Sequence, residues 1–368
     1  MSGRRRRLPG RRGRIMASLV MSALVALLAA CASSGSSAPT SASSSGDAPL
    51  NLTVGIPAVS TVFTDLYYGI QRGYFKKAGL NLTVENVGSN GPELLAAGKI
   101  GLFVNGLGTP LSMTVQGKPT TVVFATLGAG DSGAVTVTKK SGITNIMQLS
   151  GQRVAVQGVD GSSYGWGQIY SNYVVQHGGS KFNIVSVGTA PEIVQGLMAG
   201  QYAAAVITGG FFSQEVANGT ASYLVNPSTP AGAKYVAFAG GAYPEAGWFG
   251  LKSALPQQKE AIARFLAALS AANTAVHATT TADLGTILHA NSDWAATPAA
   301  TIALEVSYDL KFMDPSNGDI SPADWTSLLA HLKFWNVSGL DLSSTAVQYG
   351  SAVDMSYLNE ANSLHLNF

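Results

Sequence analysis

The sequence predicts an α/β fold of two lobes, each a mostly parallel sheet flanked by helices. Three observations predict it. Short apolar strand patterns alternate with amphipathic helix patterns, which is the signature of parallel sheets covered on both faces. The alternation runs once from about Leu52 and restarts near Arg153, followed by a helical tail from about Pro256. Finally, size and composition fit: apolar residues make up 46% and charged residues 11% of 368. Without an N-terminal leader about 320 residues remain, enough for two units of roughly 100–200 residues.

The elements follow in order. Leu52 to Ile56 alternates and stops at Pro57, a strand running into a loop. Phe63, Leu66, Ile70 and Tyr74 mark a helix face, with Ser60 or Thr61 as N-cap. Leu80 to Val87 reads as a strand, and Asn90-Gly91-Pro92-Glu93 opens a helix with Asn90 and Glu93 as a capping box. Ile100 to Val104, Thr121 to Ala125 and Gly133 to Thr138 read as strands, with a short helix over Thr109 to Gln116. The second run has strands at Arg153 to Gln157, Phe182 to Val187 and Tyr202 to Ile207, a helix through His177, and a helix capped by Thr189 with Glu192. Tyr235 to Ala239 and Trp248 to Leu251 read as strands that run between lobes. In the tail, Ile262, Phe265, Leu266, Leu269 and Val276 mark one helix face, and Trp325, Leu328, Leu329, Leu332 and Trp335 another, opened by Ser321-Pro322.

The N-terminus is an address and a tether. Residues 1–31 have the form of a signal peptide: an arginine-rich start, an apolar run from about Ile15 to Ala30, then small residues. The run is short for a membrane span, which needs about 20 apolar residues. It ends in Leu28-Ala29-Ala30-Cys31, similar to the bacterial lipobox, whose cysteine receives a diacylglycerol; Cys31 is the only cysteine of the chain. Residues 32–49 are Ser/Ala/Gly-rich and behave as a flexible tether.

Charge excludes several functions. The formal net charge of +2 is set by the leader, which holds seven arginines and no acid; the rest carries 15 basic against 20 acidic residues, a net of −5. No basic cluster remains that could neutralise a run of phosphates, so nucleic acid is not the expected partner. One cysteine permits no internal disulfide and no thiolate metal site, and the five histidines form no HxH or HExxH pair. No cofactor and no metal are expected. No lysine-bearing phosphate loop occurs either.

Four segments carry a resemblance. Gly73-Tyr74-Phe75-Lys76-Lys77-Ala78-Gly79-Leu80, Leu94 to Gly101, Leu149 to Val156 and Gly196 to Ala205 stand in order along the chain, and Val353 to Leu358 resembles a closing helix. Together they resemble the alkanesulfonate/nitrate/taurine-type solute-binding proteins and their thiamine-pyrimidine-binding relatives, over about residues 50–360. Two positions depart from that pattern: Gly101 and Ala203 stand where the family usually has an acid. The glycines and rings of the first segment read as scaffold.

The resemblance implies a periplasmic-binding-protein-like (type II) clamp. Lobe 1 would hold residues 50–137 and 242–368 and lobe 2 residues 138–241, joined by crossing strands. It also implies an extracytoplasmic, membrane-anchored protein, a monomer, whose partners are a small-molecule ligand and the permease and ATPase of an ABC importer. Ligands of parallel sheets sit beyond the carboxyl ends of strands. The loops there are 57–65, 88–91, 105–109, 157–166 and 208–212, three of them running into helix N-termini that favour an electron-rich group.

Candidate ligand residues are the polar Thr64, Asp65, Ser89, Asn90, Asn105, Thr109, Ser162, Ser163 and Thr208 and the aromatic Phe63, Tyr164, Trp166, Phe211 and Trp248. About half of the rings in and around these loops, Tyr67 and Phe212 among them, are expected to touch ligand and half to be core. Phe63, Trp166 and Trp248 are the preferred walls. Asp65, Asp131, Asp160 and Glu215 either meet a cationic ligand group or serve in turns and caps. No lysine or arginine lies in the five loops, so a neutral or weakly anionic small molecule is expected, a heterocycle or a sulfonate. Two other readings stand beside import: an enzyme like the thiamine-pyrimidine synthases, which carry a cysteine-rich segment and a reactive histidine that find no counterpart here, and a sensory lipoprotein that presents ligand to a receptor.

Overall fold

A computed structural model describes residues 48–158, 161–313, 317–335 and 340–368. The leader, Cys31, most of the tether and Asp160 lie outside the described residues.

Among the described residues, ten strands form two five-stranded sheets of the same plan. β1 (Leu50–Ile56), β2 (Leu80–Asn86), β3 (Leu102–Gly106), β4 (Thr120–Gly128) and β10 (Pro244–Leu251) build the first, in the order β2-β1-β3-β10-β4. β5 (Ala134–Thr138), β6 (Arg153–Val156), β7 (Asn183–Ser186), β8 (Ala204–Ile207) and β9 (Ala221–Val225) build the second, in the order β7-β6-β8-β5-β9. In each, three neighbouring strands pair in parallel and one antiparallel strand is inserted: β10 against β3 and β4, β5 against β8 and β9. The inserted strand is in both cases the one that arrives from the other sheet. The chain thus crosses twice, between β4 and β5 and between β9 and β10. The sequence boundary at residue 137 falls near the end of β5, whose pairing is in the second sheet.

The helices that cover these sheets start where the chemistry of their ends dictates. They are α1 (Thr64–Gln71), α2 (Gly91–Ala96), α3 (Gly108–Val115), α4 (Ser162–Gln176), α5 (Ala190–Met198), α6 (Pro230–Phe238), α7 (Lys259–His277), α8 (Ala299–Asp309), α9 (Pro322–Leu332) and α10 (Ser356–Ser363), with a further helix over Thr281–His289 and several shorter turns between. Thr189 and Glu192 form the expected capping box at α5, and Ser321 and Asp324 another at α9, each reciprocally satisfying orphan N–H groups. Two expectations are corrected. Asn90 precedes α2 but makes no side-chain cap bond. The segment Tyr235–Ala239 is not a strand: it lies mostly in α6, whose start is fixed by Thr229 accepting from the Gly232 N–H and by Pro230 in the first turn.

Two large apolar clusters hold the molecule. One joins β1 and α1 to α7 through Leu52, Val54, Leu66, Phe265 and Leu269. In it Phe75 stacks on Phe265 with ring centroids 5.4 Å apart, and Gly79, at φ +73°, ends that turn in the left-handed conformation glycine tolerates best. This is the scaffold role expected of the GYFKKAGL segment. The other cluster is continuous from Phe103 of the first lobe to Val154 and Trp166 of the second, by way of α9 and Trp335. Among the described residues no helix is long and apolar enough to cross a membrane.

Candidate functional site

The carboxyl ends of β1 and β3 in the first sheet and of β6 and β8 in the second lead into loops that meet between the lobes. There Gly106, at the end of β3, stands against Ser162, the first residue of α4: a Cβ placed on Gly106 would lie 2.6 Å from the Ser162 hydroxyl. Gly161 precedes α4 in an extended conformation and offers no side-chain cap. The first-turn amides of Ser162 and Ser163 therefore point out of the helix with no intrahelical acceptor, at the positive end of a 15-residue dipole. Such an end suits an anionic or electron-rich ligand group.

The candidate residues divide into two sets. At the gap stand Ser89 and Asn90, both exposed, and the half-buried Asn105, Thr109, Ser162 and Tyr164. Asn105 accepts from the Gly106 N–H at 2.8 Å, the buried Ser163 hydroxyl accepts from the Gln157 N–H at 3.1 Å, and the Tyr164 hydroxyl accepts from Gln168 at 2.7 Å. Behind them lie Phe63, Thr64, Asp65, Trp166, Thr208 and Trp248, all buried, and the half-buried Phe211, packed among Ile193, Leu197 and Phe212. Trp248 sits in the core of the first lobe, edge-on to Phe265 at 5.0 Å. Trp166 donates its indole N–H to Glu245 at 3.1 Å. The Asp65 carboxylate accepts from the Leu66 N–H at 2.8 Å, and burial pushes its pKa up to about 7.

Three groups whose place at the gap no sequence pattern signals shape this region. Glu245, the second residue of β10, is buried and binds both crossings together: it accepts from the Gly130 N–H at 2.7 Å, the Ser132 N–H at 3.1 Å and Trp166 of α4. Trp335, just beyond α9, inserts between the lobes. Its indole lies against Gly108 on one side and Gly165 on the other, where any side chain would collide with it. His331, one turn earlier, is hydrogen-bonded through Nε2 to the Tyr243 hydroxyl at 2.7 Å, and burial lowers its pKa to about 3, so it is neutral.

The last two residues of α8 form the third group. Thr61, in the loop after β1, donates to Asp309 at 2.6 Å, while Tyr308 and Asp309 press on Gly209 and Gly210, in the loop after β8. Nearby, Thr208 donates to Asp131 of the first crossing at 3.1 Å. Burial, followed by the repulsion of Asp309 and Glu245, holds the Asp131 carboxyl well above its usual range; burial pushes Asp309 up to about 7. The contacts that define this cluster span as many as 248 residues of sequence, so no local pattern signals them. A surface cavity of about 760 Å³ lies elsewhere, at the opposite end of the second sheet, lined by Lys139, Lys140, Arg153 and Tyr202.

Two sheets of order 2-1-3-n-4 joined by two crossings, with loops converging on a gap, define the architecture of two-lobed binding proteins. A sequence profile described as NMT1/THI5 like matches residues 60–280, and the chain belongs to that family. The resemblance to alkanesulfonate- and nitrate-type binding proteins read from GYFKKAGL and the later segments agrees with this. No curated protein matches the chain. Among solved structures, a protein of Bordetella bronchiseptica RB50 is 18% identical with a TM-score of 0.70, covering 88% of this chain and 99% of that one. The alkanesulfonate-binding protein SsuA from Xanthomonas axonopodis pv. citri, bound to MOPS, is 16% identical with a TM-score of 0.64, covering 83% and 98%. The desulfurization enzyme DSZB is also 16% identical, with a TM-score of 0.58, covering 86% and 99%. At these identities the likeness shows the fold, one that serves both binding and catalysis.

Proposed function

We propose that this protein is the solute-binding lipoprotein of an ABC importer. It captures a small neutral or weakly anionic molecule, a heterocycle or a sulfonate, between its lobes and delivers it to a permease driven by an ATPase. It works as a monomer on the extracytoplasmic face of the cell membrane, held by lipid on Cys31, and catalyses nothing.

The observation that carries this reading is the approach of Ser162 in one lobe to Gly106 in the other, at the mouth of an uncapped helix N-terminus. A ligand group seated on the Ser162 and Ser163 amides would touch Asn105 and Thr109 of the first lobe and so favour the closed form. Ligand that binds both lobes shifts the open–closed population by its differential affinity for the closed state. Ser89, Asn90 and Tyr164 would complete the contacts, with Phe63, Thr64, Asp65, Trp166, Thr208, Phe211 and Trp248 fixing the walls. The five loops hold no lysine or arginine to neutralise a doubly charged anion, which sets the ligand class. The tether would keep the closed form near its permease at high effective concentration.

Native mass spectrometry of the purified protein tests the proposal. One small molecule that leaves unaltered on denaturation is expected. A ligand that emerges chemically changed after incubation with the protein would replace this reading with an enzymatic one.

A further inference from the structure

The three carboxylates at the lobe junction are not equivalent. Glu245 accepts three N–H donors and is a fastener. Asp131 and Asp309 each keep one oxygen, Oδ1, fully buried and without a partner, although their other oxygens are bonded to Thr208 and Thr61. The hydroxyl of Tyr308, the residue before Asp309, is likewise buried and unpartnered. Asp131 is the strongest charge acting on that hydroxyl, and Asp309 the strongest acting on Asp131. Among the described residues Lys311 is the cation that acts on Asp309, and its ammonium lies over the Tyr308 ring, 5.5 Å from the centroid. An unpaired buried polar atom is destabilising, and a buried carboxylate more so. Acceptors from a crossing (Asp131), from the tail (Asp309) and from Tyr308, set against the Gly209-Gly210 loop of lobe 2 and Thr61 of lobe 1, therefore converge where both lobes meet.

We propose that Asp131, Asp309 and Tyr308 form a subsite for a nitrogen-bearing donor group of the ligand: an amino, amidino or guanidino group. This rests on the solute-binding reading and deepens it. Seated there, the group would donate to Asp131 Oδ1 and Asp309 Oδ1 and offer a neighbour to the Tyr308 hydroxyl. The electron-rich part of the molecule would be directed toward the α4 N-terminus, so that the ligand is polar at both ends and near neutral overall. Gly209 and Gly210 admit the side chains of Tyr308 and Asp309 because they have none of their own.

Benzamidine, benzamide and benzoate share one shape and differ in charge and N–H donors, which makes them the probes. In thermal-shift titrations of the full-length protein, benzamidine is expected to raise Tm by several degrees at millimolar concentration and benzoate to leave it unchanged, with benzamide between. Asp131→Asn and Asp309→Asn should each cut the benzamidine shift at least tenfold in apparent affinity. Tyr308→Phe, which removes only a hydroxyl, serves if either aspartate variant fails to fold, and should cut it about threefold. Benzoate binding as well as benzamidine, or a benzamidine shift that survives all three variants, overturns the subsite while leaving solute binding intact. No shift with any probe also overturns it. In every case native mass spectrometry judges the binding reading separately: a bound molecule without any N–H donor keeps that reading and refutes the subsite.

Discussion

The two flanks of the interlobe gap are built from opposite chemistry. On one side the neutral indole of Trp335 lies on Gly108 and Gly165 beside the donor-rich start of α4. On the other, Asp131 and Asp309 each bring a buried oxygen that has no hydrogen-bond partner among the described residues. The first flank gains stability from burial of apolar area, about 25 cal/mol per Å², offset in part by the buried, unpartnered Trp335 indole N–H. The second loses stability to desolvated carboxyls. One flank is therefore organised for holding the lobes together, and the other carries a cost that a ligand or a proton would relieve.

Substitutions can break this contrast. The largest effect is expected for Trp335→Ala, which removes a buried indole packed against both lobes and should cost about 3–5 kcal/mol in urea unfolding. A loss under about 1 kcal/mol would mean that this side is not a packed junction. On the acidic side the sign reverses. Asp309→Asn should raise stability at pH 8 by roughly 1–3 kcal/mol, because an uncompensated buried charge is replaced by a neutral amide. At pH 5, where the carboxyl is already protonated, the gain should vanish.

The pH dependence of the parent protein follows from the same groups. The folded-state pKa values of Asp65 and Asp309 are near 7, and Asp131 and Glu245 are also raised, each chiefly by burial. Unfolded carboxyls titrate near 4. Between these values the folded chain binds more protons than the unfolded one, so these groups favour folding fully below about pH 4 and lose that contribution as pH climbs to about 7. Thermal melts should show Tm falling from pH 5 to pH 8, with a shallower fall in Asp309→Asn. A Tm that rises over this interval would contradict the assignment of buried, unpaired acids. The smallest effect is a control away from the gap: Thr189→Ala, which deletes the α5 capping box, should cost about 1 kcal/mol by chemical denaturation at either pH.

Much of the scaffold is legible in the sequence because it is local. The caps at Thr189 and Ser321 and the βα alternation depend on residues a few positions apart. Segment direction is not local. β10 and β5 run antiparallel to their neighbours, and the period of apolar residues along a strand is the same whichever way it runs. Tyr235 to Ala239 misleads because its aromatic and β-branched residues favour strands, while Thr229-Pro230 just before it signals a helix start. The site is legible only on the side made of loops. Ser162 and Asn105 follow strands, and the rule for parallel sheets finds them. Glu245, Tyr308, Asp309 and Trp335 arrive from the crossing and the helical tail, and tertiary packing alone brings them to the gap.

The central claim is that the lobes form a clamp around a common gap, and a distance between lobes tests it most directly. Cys31 is the only cysteine, so Cys31→Ser with Glu93→Cys and Gln157→Cys carries one spin label on each lobe, both at exposed positions. Pulsed electron resonance on ligand-stripped protein should show a long and a short distance, and restoring the co-purified molecule should collapse them to the short one. A single distance that is unchanged by that molecule would contradict the clamp.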